Sequence, residues 1–390
     1  MWFEGRLVES GYPVRLEVTD RVIGRIESLH TAQDVWIAPG LLDIQVNGYM
    51  GHDVNARDVT PRDIIDLVHA LWQRGVTALC PTVITQSEVH ICHALQAIAT
   101  ACKADPLVAH AISCIHVEGP YISPEDGPRG AHPLAHVRPP DLAEYARWQE
   151  AAEGRIGIIT LSPEYPAVSE YIRSVTADGV IVAIGHTGAK EDDIRAAVDA
   201  GARLSTHLGN GSHAQIQRHP NYIWEQLAED RLMASFICDG HHLPPAVMKA
   251  MLRAKGVERS LLVSDAVAVA GLEPGIYQTV VGGQVELLPG GRLNLYNTPY
   301  LAGSTSSLPE CIANVVRYAG LTLADAVRMA SVNPVQLLGL DTLQRRGSVR
   351  SGAAADLTFF HIDQFSGELI IEATIVHGEL VYQRKAEQDT

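Results

Sequence analysis

The chain has 390 residues, of which 46% are hydrophobic and 19% charged, and it contains no low-complexity block. This composition excludes a disordered or fibrous protein and is enough for a sizeable core. Lys plus Arg number 30 and Asp plus Glu 45, a formal charge of −15, which repels phosphate backbones and leaves no basic stripe for nucleic acid.

Cys80, Cys92, Cys102, Cys114, Cys238 and Cys311 are scattered without a CxxC pair. They read as free thiols of a reducing compartment rather than a disulfide framework. The opening Met1-Trp2-Phe3-Glu4-Gly5-Arg6 lacks the basic start and unbroken apolar run of a signal peptide, and no stretch of about 18 apolar residues occurs. A cytoplasmic location without a membrane partner is the expectation.

In chain order, residues 1–38 alternate in strand fashion, as in Arg6-Leu7-Val8 and Val14-Arg15-Leu16-Glu17-Val18. From residue 41, short apolar runs alternate with helical patterns, the runs beginning near Leu41, Ala78, Ile112, Ile156, Ile181, Leu204, Met233 and Leu261. Thr60-Pro61-Arg62-Asp63 supplies a cap, a proline at the first helical position and an early acid. Ile64, Ile65, Val68, Leu71 and Trp72 then repeat at helical spacing before Gly75. Gly201 and Gly256 stop two later helices. Residues 345–390 return to strand alternation.

Eight strands separated by helices predict an α/β fold, a (β/α)₈ TIM-type barrel over 39–344, for which about 250 residues suffice. The β-rich ends, 1–38 and 345–390, are each too short to bury a core and are expected to join in one small β-sandwich domain. A doubly wound open sheet is the alternative, but the Gly-rich dinucleotide turn is absent after an early strand.

Barrel active sites lie at the C-terminal ends of the strands. There the runs end in Asp43-Ile44-Gln45-Val46-Asn47, His116-Val117-Glu118-Gly119-Pro120, Gly185-His186-Thr187, Thr206-His207-Leu208, Asp239-Gly240-His241-His242 and Ser264-Asp265-Ala266. A single strand-end histidine is commonly structural. Glu118, His186 and His207, however, project into the same mouth if the eight-strand register holds. Two imidazoles and a carboxylate hold a divalent ion with an open position, the arrangement of a catalytic site. One such ion per subunit is expected: Zn²⁺ first, with Fe²⁺, Mn²⁺ or Co²⁺ also suiting the ligand set. Asp265 is placed either to shuttle a proton between water and a leaving nitrogen or merely to cap the following turn.

The segments Ala38-Pro39-Gly40-Leu41-Leu42-Asp43, His116-Val117-Glu118-Gly119-Pro120, Gly185-His186-Thr187, Thr206-His207-Leu208-Gly209-Asn210 and Ser264-Asp265-Ala266 resemble, in that order, the N-acetylglucosamine-6-phosphate deacetylase family of the amidohydrolase superfamily. The resemblance covers nearly the whole chain and extends to the closing stretch from Gly347 to Asp356. It implies that Glu118, His186 and His207 hold one metal and that Asp265 is the general acid/base. It also implies that His132 polarises the acetyl carbonyl. By the same matching, Ala131, Asn210, Gly211, His242, Leu301, Ala302 and Gly303 contact substrate, and Arg218 binds its phosphate. In that family the last arginine and His242 can serve the neighbouring subunit's site, which implies a homodimer.

Two departures bear on these roles. Many amidohydrolases carry His-x-His at the end of strand one and bind a second metal; here the positions are Gln45 and Asn47. One metal follows, with Gln45 either reaching it through water or standing as a polar residue of the barrel mouth. After strand six the family's Tyr-Asn-Ala-Met is replaced by Gly209-Asn210-Gly211-Ser212, so the phosphate loop has changed its chemistry. Arg218 is then either a bidentate phosphate ligand or an ordinary surface arginine, and Arg129 and His219 are further candidate cations.

The expected activity is deacetylation of an N-acetylated amino sugar, N-acetylglucosamine 6-phosphate first, giving glucosamine 6-phosphate and acetate: a carbon-nitrogen hydrolase acting on a linear amide. The alternatives are an unphosphorylated N-acyl amino sugar or a cyclic amide, or a catalytically silent metal-binding protein. Other features have ordinary readings. Only one of His241 and His242 can face the mouth, Cys238 packs in the core, and 303–307 either cradles phosphate or caps the helix that follows.

Overall fold

Gly40 stands at the joint between the two parts of the molecule, where an added Cβ would lie 2.1 Å from Thr77 Oγ1. Only glycine lets the last strand of the N-terminal segment, Trp36–Pro39, run on directly into the first barrel strand. The protein is described from a computed structural model covering residues 1–31, 34–280 and 282–385. Residues 386–390, the end of the expected terminal domain, lie outside the described residues.

The barrel strands are β1 (Leu41–Val46), β2 (Val76–Ile84), β3 (Ile115–Glu118), β4 (Ile156–Leu161), β5 (Ile181–Ile184), β6 (Leu204–Ser205), β7 (Met233–Ile237) and β8 (Ser260–Val263). They pair in parallel from first to last in one eight-stranded sheet. The residues after β8 close it: Ala266 bridges Val46 in parallel, and Asp265 N–H donates to the Gln45 carbonyl at 3.0 Å. Every residue of β1 and β2 is buried, as parallel strands covered on both faces require. Leu42, Ile44, Ala78, Cys80, Ile158, Ala183, Leu204, Leu261 and Val263 form a core of their own, separate from the larger one that contains the helices' apolar faces.

The expected punctuation holds. The helix Pro61–Trp72 starts on a capping box between Thr60 and Asp63 and buries Ile64, Leu67, Val68, Leu71 and Trp72. Gly201 and Gly256 cap Glu191–Ala200 and Pro245–Lys255. The run expected from Ile112 becomes a strand only at Ile115, because the helix Pro106–Ala111 intervenes and Ile112 makes a lone bridge to Leu79. The sequence reading missed a three-stranded antiparallel sheet after β8, formed by Gly275–Gln278, Gln284–Leu287 and Leu293–Leu295.

The two termini meet in one hydrogen-bonded ladder of seven strands, in which Trp36–Pro39 runs parallel to Trp2–Leu7 and antiparallel to Leu357–Ile362. Its own core includes Leu16, Ile23, Ile37, Leu357, Phe359 and Ile375. Thr358 and Thr374 hydroxyls donate to the carbonyls of Gly75 and Trp72, both at 2.7 Å, and dock the sheet on the end of the first barrel helix. Asp356 ties the same junction, accepting from Arg346 Nε at 2.7 Å with His110 Nε2 at 3.0 Å. Among the described residues no helix is long and apolar enough to cross a membrane.

Candidate active site

Glu118 ends β3, while His186 and His207 each sit two residues beyond their strands. Their donor atoms converge. His207 Nε2 lies 2.9 Å from Glu118 Oε1 and 3.0 Å from His186 Nε2, and His186 Nε2 lies 3.3 Å from the same carboxylate oxygen. All three side chains are buried. His186 Nδ1 donates to the Pro128 carbonyl at 2.8 Å, so its Nε2 presents a lone pair to the cluster. Donors held by one divalent ion at bonds of about 2.0–2.2 Å stand roughly 3.3 Å apart in a tetrahedral arrangement. The observed spacing fits that, and a cation would compensate the charge of the buried Glu118 carboxylate. Burial would raise the Glu118 pKa, but the two imidazoles outweigh it and hold it well below the carboxylate range.

His186, His207 and Asp265 all adopt left-handed backbone conformations, with φ of 49°, 29° and 48°. Such residues cost on the order of 1–3 kcal/mol each and persist where their surroundings over-determine them. The surroundings here do so. His207 N–H donates to Ser235 Oγ at 2.8 Å, the His186 carbonyl accepts from Ser123 N–H at 2.9 Å, and Asp265 is held by Gln45.

The two amides of β1's end each take one carboxylate. Gln45 Nε2 donates to Glu118 Oε1 at 2.9 Å, and Asn47 Nδ2 donates to Asp265 Oδ1 at 2.7 Å. Gln45 is thus a direct partner of a ligand candidate. Burial, reinforced by the negative charge of Glu118, pushes the Asp265 carboxyl up to about 6.

His132 stacks edge-on against His186, with ring centroids 4.4 Å apart. Its Nδ1 lies 2.8 Å from the Thr85 hydroxyl, leaving Nε2 for the cavity, and burial lowers its pKa to about 3, so the ring is neutral. His242 Nδ1 donates to Asp239 Oδ2 at 2.6 Å, while His241 turns away to the Gly290 carbonyl, so only His242 serves the mouth.

These groups share a cavity of about 270 Å³. Ala131, His132, Asn210, Gly211, His242, Asp265, Leu301, Ala302 and Gly303, all expected from the sequence, line it together with the three ligand candidates. Arg218 does not: it is exposed on the loop after β6, and its side chain makes no ion pair among the described residues. Arg129 is spent on its own loop, bonding the His132 carbonyl and Asp126, and His219 is exposed. The sequence reading missed Asn47 as a partner of Asp265, Thr85 beneath His132, Asp239 behind His242, and Asp53, Asn55 and Thr279 in the wall. Asp239 had a signal, since it ends a predicted run; Thr85 had none. Cys238 is buried, and Ser307 with Glu310 forms the capping box of the helix Leu308–Asn314, so that segment is a helix start.

A parallel barrel with two histidines and a carboxylate at its C-terminal mouth defines a metal-dependent hydrolase class, and residues 36–381 match the profile of the Amidohydrolase family. The chain belongs to that family and, within it, to the N-acetylglucosamine-6-phosphate deacetylase family. The N-acetylglucosamine-6-phosphate deacetylase of Bacillus subtilis is 31% identical, the match covering 92% of this chain and 88% of that one. The N-acetylgalactosamine-6-phosphate deacetylase of Escherichia coli is 32% identical over 88% of this chain and 89% of its own. Among solved structures, a variant N-acetyl-D-glucosamine-6-phosphate deacetylase of Mycobacterium smegmatis, in complex with N-acetyl-D-glucosamine-6-phosphate, superposes with a TM-score of 0.86. It is 27% identical, with 98% of this chain and 99% of that chain covered.

Proposed function

We propose that this chain is a metal-dependent deacetylase of N-acetylated amino-sugar 6-phosphates, with N-acetylglucosamine 6-phosphate the first candidate and glucosamine 6-phosphate and acetate the products. The observation that carries this reading is the convergence of Glu118, His186 and His207 in the cavity that also holds Asp265. The names of the relatives support the substrate class.

Glu118, His186 and His207 would hold one divalent ion, Zn²⁺ before Fe²⁺, Mn²⁺ or Co²⁺, with Gln45 orienting Glu118. When bound, such an ion supplies Lewis acidity towards an acyl oxygen and towards water. Asp265, steadied by Asn47, accepts a proton from the attacking water and returns it to the amide nitrogen as the C–N bond breaks. His132, held through Nδ1 by the Thr85 hydroxyl at 2.8 Å, turns Nε2 to the acetyl oxygen and, in the tautomer with its proton there, donates to that oxygen as negative charge develops. Ala131, Asn210, Gly211, His242 and the 301–303 segment bind the sugar. Arg218 supplies the phosphate contact across a homodimer, reaching the neighbouring copy's cavity. The same reading puts the enzyme in the cytoplasm and divides it into a barrel domain, 39–344, and a terminal β-domain, 1–38 with 345–390.

One observation favours a second reading, an unphosphorylated N-acyl amino sugar: among the described residues, no lysine or arginine lines the cavity. Acetate release from N-acetylglucosamine and N-acetylgalactosamine, each with and without a 6-phosphate, separates the two. The first reading expects the phosphorylated sugars to be preferred; preference for the free sugars establishes the second.

A further inference from the structure

Directly beneath the metal-ligand candidates, a chain of hydrogen bonds crosses the barrel interior. His116 Nδ1 lies 3.0 Å from the Ile44 carbonyl, which can only accept, so Nδ1 carries the proton. Nε2 lies 2.7 Å from the Thr160 hydroxyl, and Thr160 Oγ1 lies 2.7 Å from the Thr206 hydroxyl. The contacts thus run unbroken through Thr206, Thr160, His116 and Ile44. All four residues are buried.

Each member of this chain neighbours a member of the site. Ile44 precedes Gln45, His116 stands two residues before Glu118, and Thr206 precedes His207. Thr160 is the in-register partner of Glu118 across β3 and β4. The remaining ligand is reached by packing: a Cβ on Gly185, next to His186, would lie 2.8 Å from both Thr160 Cγ2 and Thr206 Cβ. The hydrogen-bonded layer thus touches the strands of all three ligand candidates at one level of the barrel.

We propose that Thr160, with His116 and Thr206, is a positioning residue that sets the spacing of Glu118 and His207, and so tunes the affinity and geometry of the metal they hold. This inference rests on reading Glu118, His186 and His207 as a metal site. Supporting groups behind metal ligands typically change affinity by about 10–100-fold when removed.

Thr160→Val keeps the shape and deletes the hydroxyl, leaving His116 Nε2 and the Thr206 hydroxyl without this partner. Thr160→Ser keeps the hydroxyl. The full-length protein is stripped of metal and titrated with Co²⁺, and its dissociation constant and visible absorption spectrum are recorded. Thr160→Val is expected to bind at least about tenfold more weakly and with a shifted spectrum, whereas Thr160→Ser matches the wild type in both. Ile158→Val, a packing change on the same strand, should lower the melting temperature without moving either readout. Should Thr160→Val not fold, Thr206→Val against Thr206→Ser tests the first link of the same chain in the same way. A valine variant that binds Co²⁺ with wild-type affinity and spectrum overturns the proposal. Failure of the wild type to bind Co²⁺ at all overturns instead the metal reading beneath it.

Discussion

The side-chain amide of Asn47 donates to the carboxylate of Asp265 across 2.7 Å, joining the end of the first barrel strand to the residues that follow the last. Asn47 occupies a position where many amidohydrolases place a metal-binding histidine. Its neighbour at the other such position, Gln45, donates to Glu118 at 2.9 Å. Both amides are therefore committed to orienting carboxylates.

Asp265→Asn preserves an oxygen for Asn47 but removes the proton acceptor, so it should retain metal while turnover falls by at least roughly 10²-fold. Asn47→Ala should be milder, lowering kcat by about tenfold with metal content and KM nearly unchanged, the pattern of a lost orienting contact. Steady-state kinetics beside metal analysis of both variants checks this. Full activity in Asp265→Asn would remove that residue from the chemistry.

Elemental analysis of the purified protein should find close to one tightly bound divalent ion per chain. His186→Ala and His207→Ala should each release it, since each removes one of the three clustered donors among the described residues. Two tightly held ions would mean that Gln45 and Asn47 turn towards a second metal.

Stability at low pH should depend on Asp356. Burial would raise its carboxyl, but Arg346 and His110 outweigh it and hold it far below the ordinary carboxylate range. A carboxylate depressed on folding contributes stability above its unfolded value near about 4, and that contribution is lost as pH falls towards the folded value. The melting temperature of the wild type should fall steeply below about pH 4, and that of Asp356→Asn much less. At pH 7 the variant should be less stable by about 3–5 kcal/mol, because Arg346 is left buried without its counter-charge. Parallel melting curves from pH 3 to pH 7 would contradict this.

Arg218→Ala tests the phosphate contact. Its side chain is exposed and unpaired among the described residues, so its loss should leave the melting temperature unchanged. KM for a 6-phosphorylated sugar should rise about tenfold or more, equivalent to roughly 1.4 kcal/mol, with little change for the free sugar. Equal effects on both substrates would assign Arg218 no phosphate role.

What the sequence made readable follows from chain periodicity. Glu118, His186 and His207 each follow an apolar run, and eight such runs between helices imply one mouth. The helix Pro61–Trp72 was equally legible, because cap, proline and apolar spacing agree. The three-stranded sheet after β8 was not, since its strands are three or four residues long and are interrupted by Gly282, Gly283, Gly290 and Gly291. Hydrogen bonds across the barrel were also hidden. Thr85 meets His132 over 47 residues and Asn47 meets Asp265 over 218, separations at which a hydroxyl or amide leaves no local pattern. Arg218 shows the opposite limit, a match to a family position that does not line this chain's own cavity.

The most direct test of the deacetylase assignment is acetate released from N-acetylglucosamine 6-phosphate by protein stripped of metal and then reloaded with one equivalent of Zn²⁺. The account predicts equal amounts of acetate and free amine, abolished by stripping, restored by reloading, and absent in Asp265→Asn. Protein that holds its metal yet frees no acetate from any N-acetylhexosamine, with or without the 6-phosphate, would contradict it.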